Sequence, residues 1–435
     1  MDRAAEIAEL SGMNPNPSQT TPADTLVIGG GIVGLSCGLH LRQRGLRVTL
    51  ADPGEARRRT SYGNAGVISR GSIFPVAGQN IWKKAGAYAL NRDPGLRIDH
   101  RNLWRILPWL RAFLRASNTA STRKAAAALD PFVAASYDAH LELAALTGAG
   151  ALIQRRGWLK LYRSEAAFAA SAVEREMFAQ YKIATEIFDA SQLRELEPAL
   201  QPRFARALLF TQAGSVSDPG ALVEAYGRTF ASLGGEVLTT KVGRLSREGD
   251  FWRTDFDGGL RHARKIVLAA GAWAPQLTGA LGYKFPLAVE RGYHQHFALT
   301  QGPALTRPIH DVAGAYIAAP MRQGVRILSG IELAPRDAPA DVRQFQRVLA
   351  DARATLPLGA PVENEPWLGS RPSTPDGLPV IGEAPRHPGL FFAFGHGHIG
   401  LSTGPVTGRI IADLVMGRAP DVPVAAFAAQ RFAGF

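Results

Sequence analysis

A single cysteine, Cys37, occurs in 435 residues, which excludes a disulfide within the chain and a cysteine-ligated metal centre. No run of about eighteen apolar residues is present, so no segment reads as a membrane-spanning helix. Acidic residues are the scarcer charge, with 37 Asp plus Glu against 49 Lys plus Arg and a formal net charge of +12. That surplus favours an anionic partner, whether nucleic acid, an anionic membrane surface or an acidic substrate. Zinc-finger, RNP and other nucleic-acid motifs are lacking, which argues against nucleic acid. Also lacking is any Ser-His-Asp or Cys-His set arranged for nucleophilic catalysis. Residues 1–24 have no apolar core and carry Asn14-Pro15-Asn16-Pro17 and Thr21-Pro22. They read as a disordered leader and not as a signal peptide, with Met13 a second candidate start and cytoplasmic residence the default.

What the sequence does contain is a nucleotide cradle. Thr25-Leu26-Val27-Ile28 is an apolar strand that runs into Gly29-Gly30-Gly31-Ile32-Val33-Gly34, a G-x-G-x-x-G turn, and then into a helix. Gly29 permits the sharp turn, Gly31 a close approach to a pyrophosphate, and Gly34 tight packing of helix on strand. The free N–H groups at the helix start face the phosphates. About twenty residues on, a second strand, Arg47 to Asp52, ends in the acid that bonds ribose hydroxyls. Asp52 repels a 2'-phosphate despite the following Arg57, Arg58 and Arg59, which leaves NAD or FAD.

Further motifs decide between these. Thr60-Ser61-Tyr62-Gly63-Asn64-Ala65-Gly66-Val67 is a small-residue loop suited to a flat cofactor. Val237 to Val242, Ile266 to Trp273, Gly369-Ser370-Arg371-Pro372-Ser373-Thr374-Pro375-Asp376-Gly377 and Gly395-His396-Gly397-His398-Ile399-Gly400-Leu401 follow. Together they resemble the D-amino acid oxidase superfamily of flavoproteins, and within it the bacterial D-amino acid dehydrogenases, from about Thr25 to the end of the chain.

The resemblance implies an α/β fold in which a Rossmann-like FAD-binding domain (25–75, 205–275 and 360–435) is interleaved with a substrate domain on a mixed β-sheet (76–204 and 276–359). Periodicity alone supports only alternating helices and strands. The FAD contacts it implies are Gly29, Gly31, Ile32, Val33, Gly34 and Asp52; Thr60, Ser61, Asn64, Ala65, Gly66 and Val67; Val242; Ala270, Gly271 and Trp273; Gly369 and Arg371; and the run His396, Gly397, His398, Ile399, Gly400, Leu401. Attachment is expected to be non-covalent. The cysteine that sarcosine oxidases use near the C-terminus is absent, and Gly63 stands where dimethylglycine-type relatives have a histidine.

The implied reaction is oxidative deamination of D-amino acids, or of D-imino acids such as D-proline derivatives. Hydride leaves the substrate Cα for flavin N5, and electrons pass on to a non-oxygen acceptor such as a respiratory quinone. Arg371 is the expected carboxylate clamp, since a guanidinium grips a carboxylate with two parallel hydrogen bonds. Tyr316 is the expected second contact. His398 stands where a small polar residue is the family pattern, so the substrate pocket is expected to differ there. A helix starting near Leu401 would aim its N-terminus at the flavin N1–C2=O edge. No catalytic base is required if the amine binds neutral. His294 and His296 alternate on one strand face, but no third ligand follows at zinc-site spacing, and no metal is expected. A glycine or sarcosine-type secondary-amine oxidase and a flavin-binding subunit without turnover of its own remain alternatives. An NAD-dependent dehydrogenase would leave the Arg371 and His396 motifs unexplained.

The charge surplus gathers in one segment, Arg101 to Arg115. As a helix it carries Leu103, Ile106, Leu107, Leu110, Phe113 and Leu114 on one face, four arginines opposite, and Trp104 and Trp109 at the boundaries. The pattern fits a stripe packed on the substrate domain with solvated arginines, or a peripheral helix on an anionic membrane aided by Lys83, Lys84 and Arg97. Pro108 is expected to kink or divide it.

Overall fold

Strand Ala23–Ile28 buries its last four residues at the centre of an eight-stranded sheet. It pairs in parallel with Val48–Asp52 on one side and Gly259–Leu268 on the other. Glu236–Thr239 adds a further parallel strand, largely exposed, beside Val48–Asp52, and burial on both faces accounts for the apolar runs Leu26-Val27-Ile28 and Ile266-Val267-Leu268 at the centre. Val242–Glu248 and Phe251–Phe256 extend the sheet as an antiparallel hairpin, while Leu390–Phe394 and Val380–Glu383 close it from the C-terminal part of the chain. This computed structural model describes residues 23–74 and 81–432, with the side chains of 81–84 excepted. Most of the expected leader therefore lies outside the described residues, while Ala23 and Asp24 already belong to the first strand.

Helix Ile32–Gln43 lies across this sheet against helix Gly400–Val415. The approach depends on missing side chains: a Cβ on Gly408 would sit 2.5 Å from the Ser36 carbonyl carbon, and one on Gly404 would sit 3.0 Å from Ile32 Cγ1. Segments almost four hundred residues apart are thereby locked over the glycine turn.

The second sheet has eleven strands, centred on the long Ala288–Leu299. One face of that strand presents Tyr293 and Phe297 to a core shared with Phe345, Val348 and Ala352 of helix Arg343–Arg353. The other face carries Glu290, Gly292, His294 and His296 toward the first sheet. Arg206–Phe210 and Trp367–Ser373, expected within the FAD-binding pieces, hydrogen-bond into this second sheet. A strand's sheet is set by its partner's edge, which local sequence does not display.

Helix Leu103–Ala116 runs through Pro108 without being divided by it. Its apolar face is not free. Ile106, Leu110 and Phe113 pack with Leu96, Ile98 and Leu333 at the edge of the second sheet. Trp109, expected at the polar boundary, points inward, stacks on Phe113 at 4.7 Å and donates its indole N–H to the Ser373 carbonyl at 2.9 Å. Trp104 is the exposed one, at 66% of its surface, with the Arg105 guanidinium over its ring. Arg97 is committed to ion pairs with Asp341 and Glu332, and the side chains of Lys83 and Lys84 lie outside the described residues. Among the described residues no helix is long and apolar enough to cross a membrane.

Candidate functional site

Between the two sheets lies one elongated cavity of about 1020 Å³. One end is built by the glycine turn. Gly29 has φ +110°, and a Cβ there would meet the Ala269 carbonyl oxygen at 2.5 Å. At Gly34 a Cβ would lie 1.8 Å from the Gly29 carbonyl oxygen, so this residue serves helix packing from behind the cavity wall. Asp52 lines the cavity, accepts from Gly30 N–H at 2.6 Å and pairs with Arg59 at 2.8 Å. Its carboxylate thus fastens the turn as well as facing the site.

Two helices begin on this cavity without a side-chain cap, one after Gly31 and the other after Ile399. Uncapped N-termini leave N–H donors and a positive partial charge facing inward. Ser61 Oγ accepts from the Ile32 N–H at 3.1 Å, tying the 60s loop to the first of them. An elongated group with a diphosphate at its middle fits these features, and FAD is such a group: the end near Asp52 and Val242 would take its adenosine, the start of helix Ile32–Gln43 its diphosphate, and the 64–67 and 396–401 segments, with the start of helix Gly400–Val415, its ring system.

Nearly all the residues expected to contact FAD line this one cavity, from Gly29 through Val242 and Trp273 to Leu401. Gly66 does not. Its φ is +75° and a Cβ would lie 2.3 Å from the Val216 carbonyl oxygen, so it packs the loop onto strand Gly214–Val216. Tyr316 does not line the cavity either. It belongs to the core on the far face of the second sheet, while its neighbour Ile317 faces the cavity. Strand side chains alternate, so a displacement of one residue reverses the face, and Tyr316 is no substrate contact in this geometry.

At the other end Arg371 enters from strand Trp367–Ser373 and lays its guanidinium over Gly292. A Cβ on Gly292 would sit 2.5 Å from Arg371 Nη2, so the glycine makes room for it. No hydrogen bond joins this guanidinium to a described residue. Burial lowers its pKa and the nearby Glu290 opposes that shift. Glu290 is the cross-strand partner of Arg371 and is itself buried, which raises its pKa. His398 reaches into the same cavity and is exposed to its open space; the protein crowded around it, with Arg371 adding to the effect, lowers its imidazole pKa to about 4, so it is neutral near pH 7. His396 is different: its Nε2 lies 3.0 Å from Thr407 Oγ1, whose own proton goes to the Thr403 carbonyl, so His396 donates and braces the turn.

His294 and His296 do share a face, with ring centroids 5.2 Å apart. His296 Nε2 accepts from Arg326 Nε at 2.9 Å, and its Nδ1–H donates to Glu363, since arginine has no acceptor. Arg326 also donates to the carbonyls of Tyr62 and Asn64, at 3.1 and 2.6 Å. His294 stacks on Trp367 at 4.7 Å. A Cβ on Gly63 would lie 1.9 Å from the same Trp367 ring. Sequence reading missed Arg326, Glu290, Ile317, Leu328, His310 and Lys160. None of these carries a motif.

The sequence profile of the DAO family, described as FAD dependent oxidoreductase, matches residues 24–414. The chain is 33% identical to a D-amino-acid oxidase of Bradyrhizobium diazoefficiens over 93% of its own length and 98% of that protein. It is 28% identical to a D-amino acid dehydrogenase of the same organism, over 94% and 98%. The structure superposes on glycine oxidase from Geobacillus kaustophilus with a TM-score of 0.75, covering 95% of this chain and 99% of that one at 23% identity, which speaks to the fold.

Proposed function

The chain belongs to the DAO family of FAD-dependent oxidoreductases, and from that membership we propose that it is a D-amino acid dehydrogenase. One observation carries the reading: Arg371 holds a guanidinium in the cavity wall that makes no hydrogen bond to a described residue. An enclosed cation of that kind calls for an anion, and a carboxylate matches its fork. Gly292 supplies the space beneath it. FAD, when bound, supplies the acceptor for the hydride of the oxidation. Arg371 fixes the carboxylate, and the neutral His398 imidazole offers an acceptor to the substrate amine. Apolar Leu328 and Ile317 keep water from the space between.

Non-covalent FAD is supported by the ring packed against Gly63 and by Cys37, which is buried in helix Ile32–Gln43. Acid precipitation should leave the flavin in the supernatant; yellow colour retained in the pellet would count against it. Adding D- or L-amino acids without oxygen and following the flavin band near about 450 nm tests the activity. Bleaching by D-amino acids is expected, and bleaching by L-amino acids alone would overturn the assignment. Electrons are assigned to a quinone on the dehydrogenase resemblance, and one oxygen consumed per turnover would refute that part. The exposed Trp104 and the arginines at 101, 105, 111 and 115 support contact with an anionic membrane. Salt-sensitive flotation with anionic vesicles is expected, and absence from the lipid fraction at low salt would refute it.

A further inference from the structure

The cavity does not end at Arg371. Across the second sheet a single register row runs from His294 to Leu328, from Leu328 to Ile317, from Ile317 to His310, and from His310 to Lys160. The last four of these residues line the same cavity as Arg371. Leu328 and Ile317 give it an apolar floor. Trp158 and Phe210, stacked at 5.1 Å, form a wall beyond them. The row closes on a charged pair, Lys160 Nζ to Glu174 Oε1 at 2.6 Å.

Both cations line this cavity, on strands whose separation the sheet sets. Four strand spacings of about 4.8 Å place the Lys160 strand roughly 19 Å from the strand that carries Gly292, over which the Arg371 guanidinium lies. An extended lysine side chain reaches about 5 to 6 Å beyond its Cα and so shortens that span. About 10 to 15 Å then separates ammonium from guanidinium, and hydrogen bonds of about 2.8 Å at each end leave roughly 5 to 9 Å for a ligand. An extended chain advances about 1.2 Å per bond, so five to seven bonds would bridge it.

The sign of the distal group follows from how the pair is held. The Lys160 side chain is 14% exposed and its ammonium lies over the Phe178 ring, whereas the Glu174 side chain is 36% exposed on helix Ala172–Gln180. Glu174 is therefore the partner better able to turn into water. An ammonium has three donors and Glu174 takes one of them. His310, held neutral by burial, adds no competing charge. A cationic tip would have to draw Glu174 away from Lys160 and leave the less exposed ammonium unpaired.

Resting on the reading of Arg371 as the α-carboxylate clamp, we propose that the cavity takes an extended α-amino acid whose side chain ends in a second carboxylate, and that Lys160 binds that carboxylate. Glycine, alanine and proline would leave the trough unfilled.

The test compares D-2-aminosuberate with D-2-aminooctanoate, equal in length and differing in the terminal carboxylate, using FAD-loaded protein and an artificial electron acceptor. A kcat/KM at least about tenfold higher for the diacid is expected. Lys160→Met should bring that ratio down to about one, Lys160→Arg should keep a preference, and Glu174→Gln should raise it by removing the competing carboxylate. A merely structural ion pair would instead lower both substrates alike in the Met and Gln variants, and that result would overturn the proposal. So would a parent enzyme that oxidises the two substrates equally, whatever the variants do. Oxidation of D-alanine with no turnover of the diacid would sink this inference alone. Failure of every D-amino acid to bleach the flavin would remove the proposed function and this inference together.

Discussion

Replacing Arg326 by Met should loosen the flavin side of the cavity without touching substrate. Arg326 is 1% exposed and ties three acceptors from the 60s loop and the second sheet: the carbonyls of Tyr62 and Asn64 and the ring nitrogen of His296. Burial lowers its pKa only to about 10, so it is charged at neutral pH and its bonds are charge-assisted. Methionine fills much of the same volume but leaves those acceptors unpaired, at about 1 to 3 kcal/mol each. Water entering from the cavity recovers part of this, so the net loss should be about 3 to 5 kcal/mol, in line with breaking a buried charged contact. That is a sizeable share of the roughly 5 to 15 kcal/mol that holds a typical domain folded. The loop keeps two other ties, from Trp367 Nε1–H to the Arg57 carbonyl and from the Thr60 hydroxyl to the Ser370 carbonyl, both 2.6 Å. The loss should therefore divide between a lower urea midpoint of the apoprotein and an FAD dissociation constant raised at least about tenfold. Arg326→Lys should fall between, because an ammonium reaches the carbonyls but not His296 with the same fork. Flavin-fluorescence titration and urea unfolding measure both quantities. A midpoint and a dissociation constant unchanged within about 0.5 kcal/mol would refute the claim that Arg326 ties the 60s loop to the second sheet.

Arg371→Lys should lower kcat/KM by about 2 to 4 kcal/mol in transition-state binding while FAD content stays at parent level; unchanged kinetics would remove the carboxylate clamp. Asp52→Ala should cut FAD occupancy after dialysis more than it alters turnover of the loaded enzyme, since the Gly30 and Arg59 contacts are lost with any ribose bond; full occupancy would contradict this. Acid should destabilise the fold through buried histidines. His140 donates from Nε2 to the Leu401 carbonyl at 2.9 Å, and burial lowers its pKa from 6.5 to about 4. Between those values the unfolded chain binds a proton that the folded one refuses, so stability is full above 6.5 and declines as pH falls toward 4. About 2 kcal/mol should go between pH 7 and pH 5 from this residue. Urea midpoints at the two pH values should converge in His140→Gln, and an equal pH slope in parent and variant would contradict the assignment.

The glycine turn was legible because its requirements are local. Backbone at φ +110° and a helix start packed on the strand it leaves admit few residue types wherever they occur. Asp52, the Asn64-Ala65 loop, Arg371 and the His396 to Leu401 run were legible as motifs, and the fold returns them to one cavity although they lie hundreds of residues apart. Family membership followed from the same segments.

What tertiary structure alone decided concerns faces and neighbours. Tyr316 and Ile317 are both acceptable strand residues, and only the pairing of Tyr316–Met321 with its neighbours says which of them sees the cavity. Trp109 could sit at a membrane boundary or in a core as far as helical projection shows; the edge of the second sheet beneath it settled the matter. Strands Arg206–Phe210 and Trp367–Ser373 could join either sheet until their hydrogen-bonding edges were known. The row from Leu328 to Lys160 draws on four strands separated by connections that sequence spacing does not constrain, so no motif could announce it. Local conformational demands are written in single residues, whereas the inventory of a cavity depends on register between distant strands, where one residue of slip exchanges inside for outside.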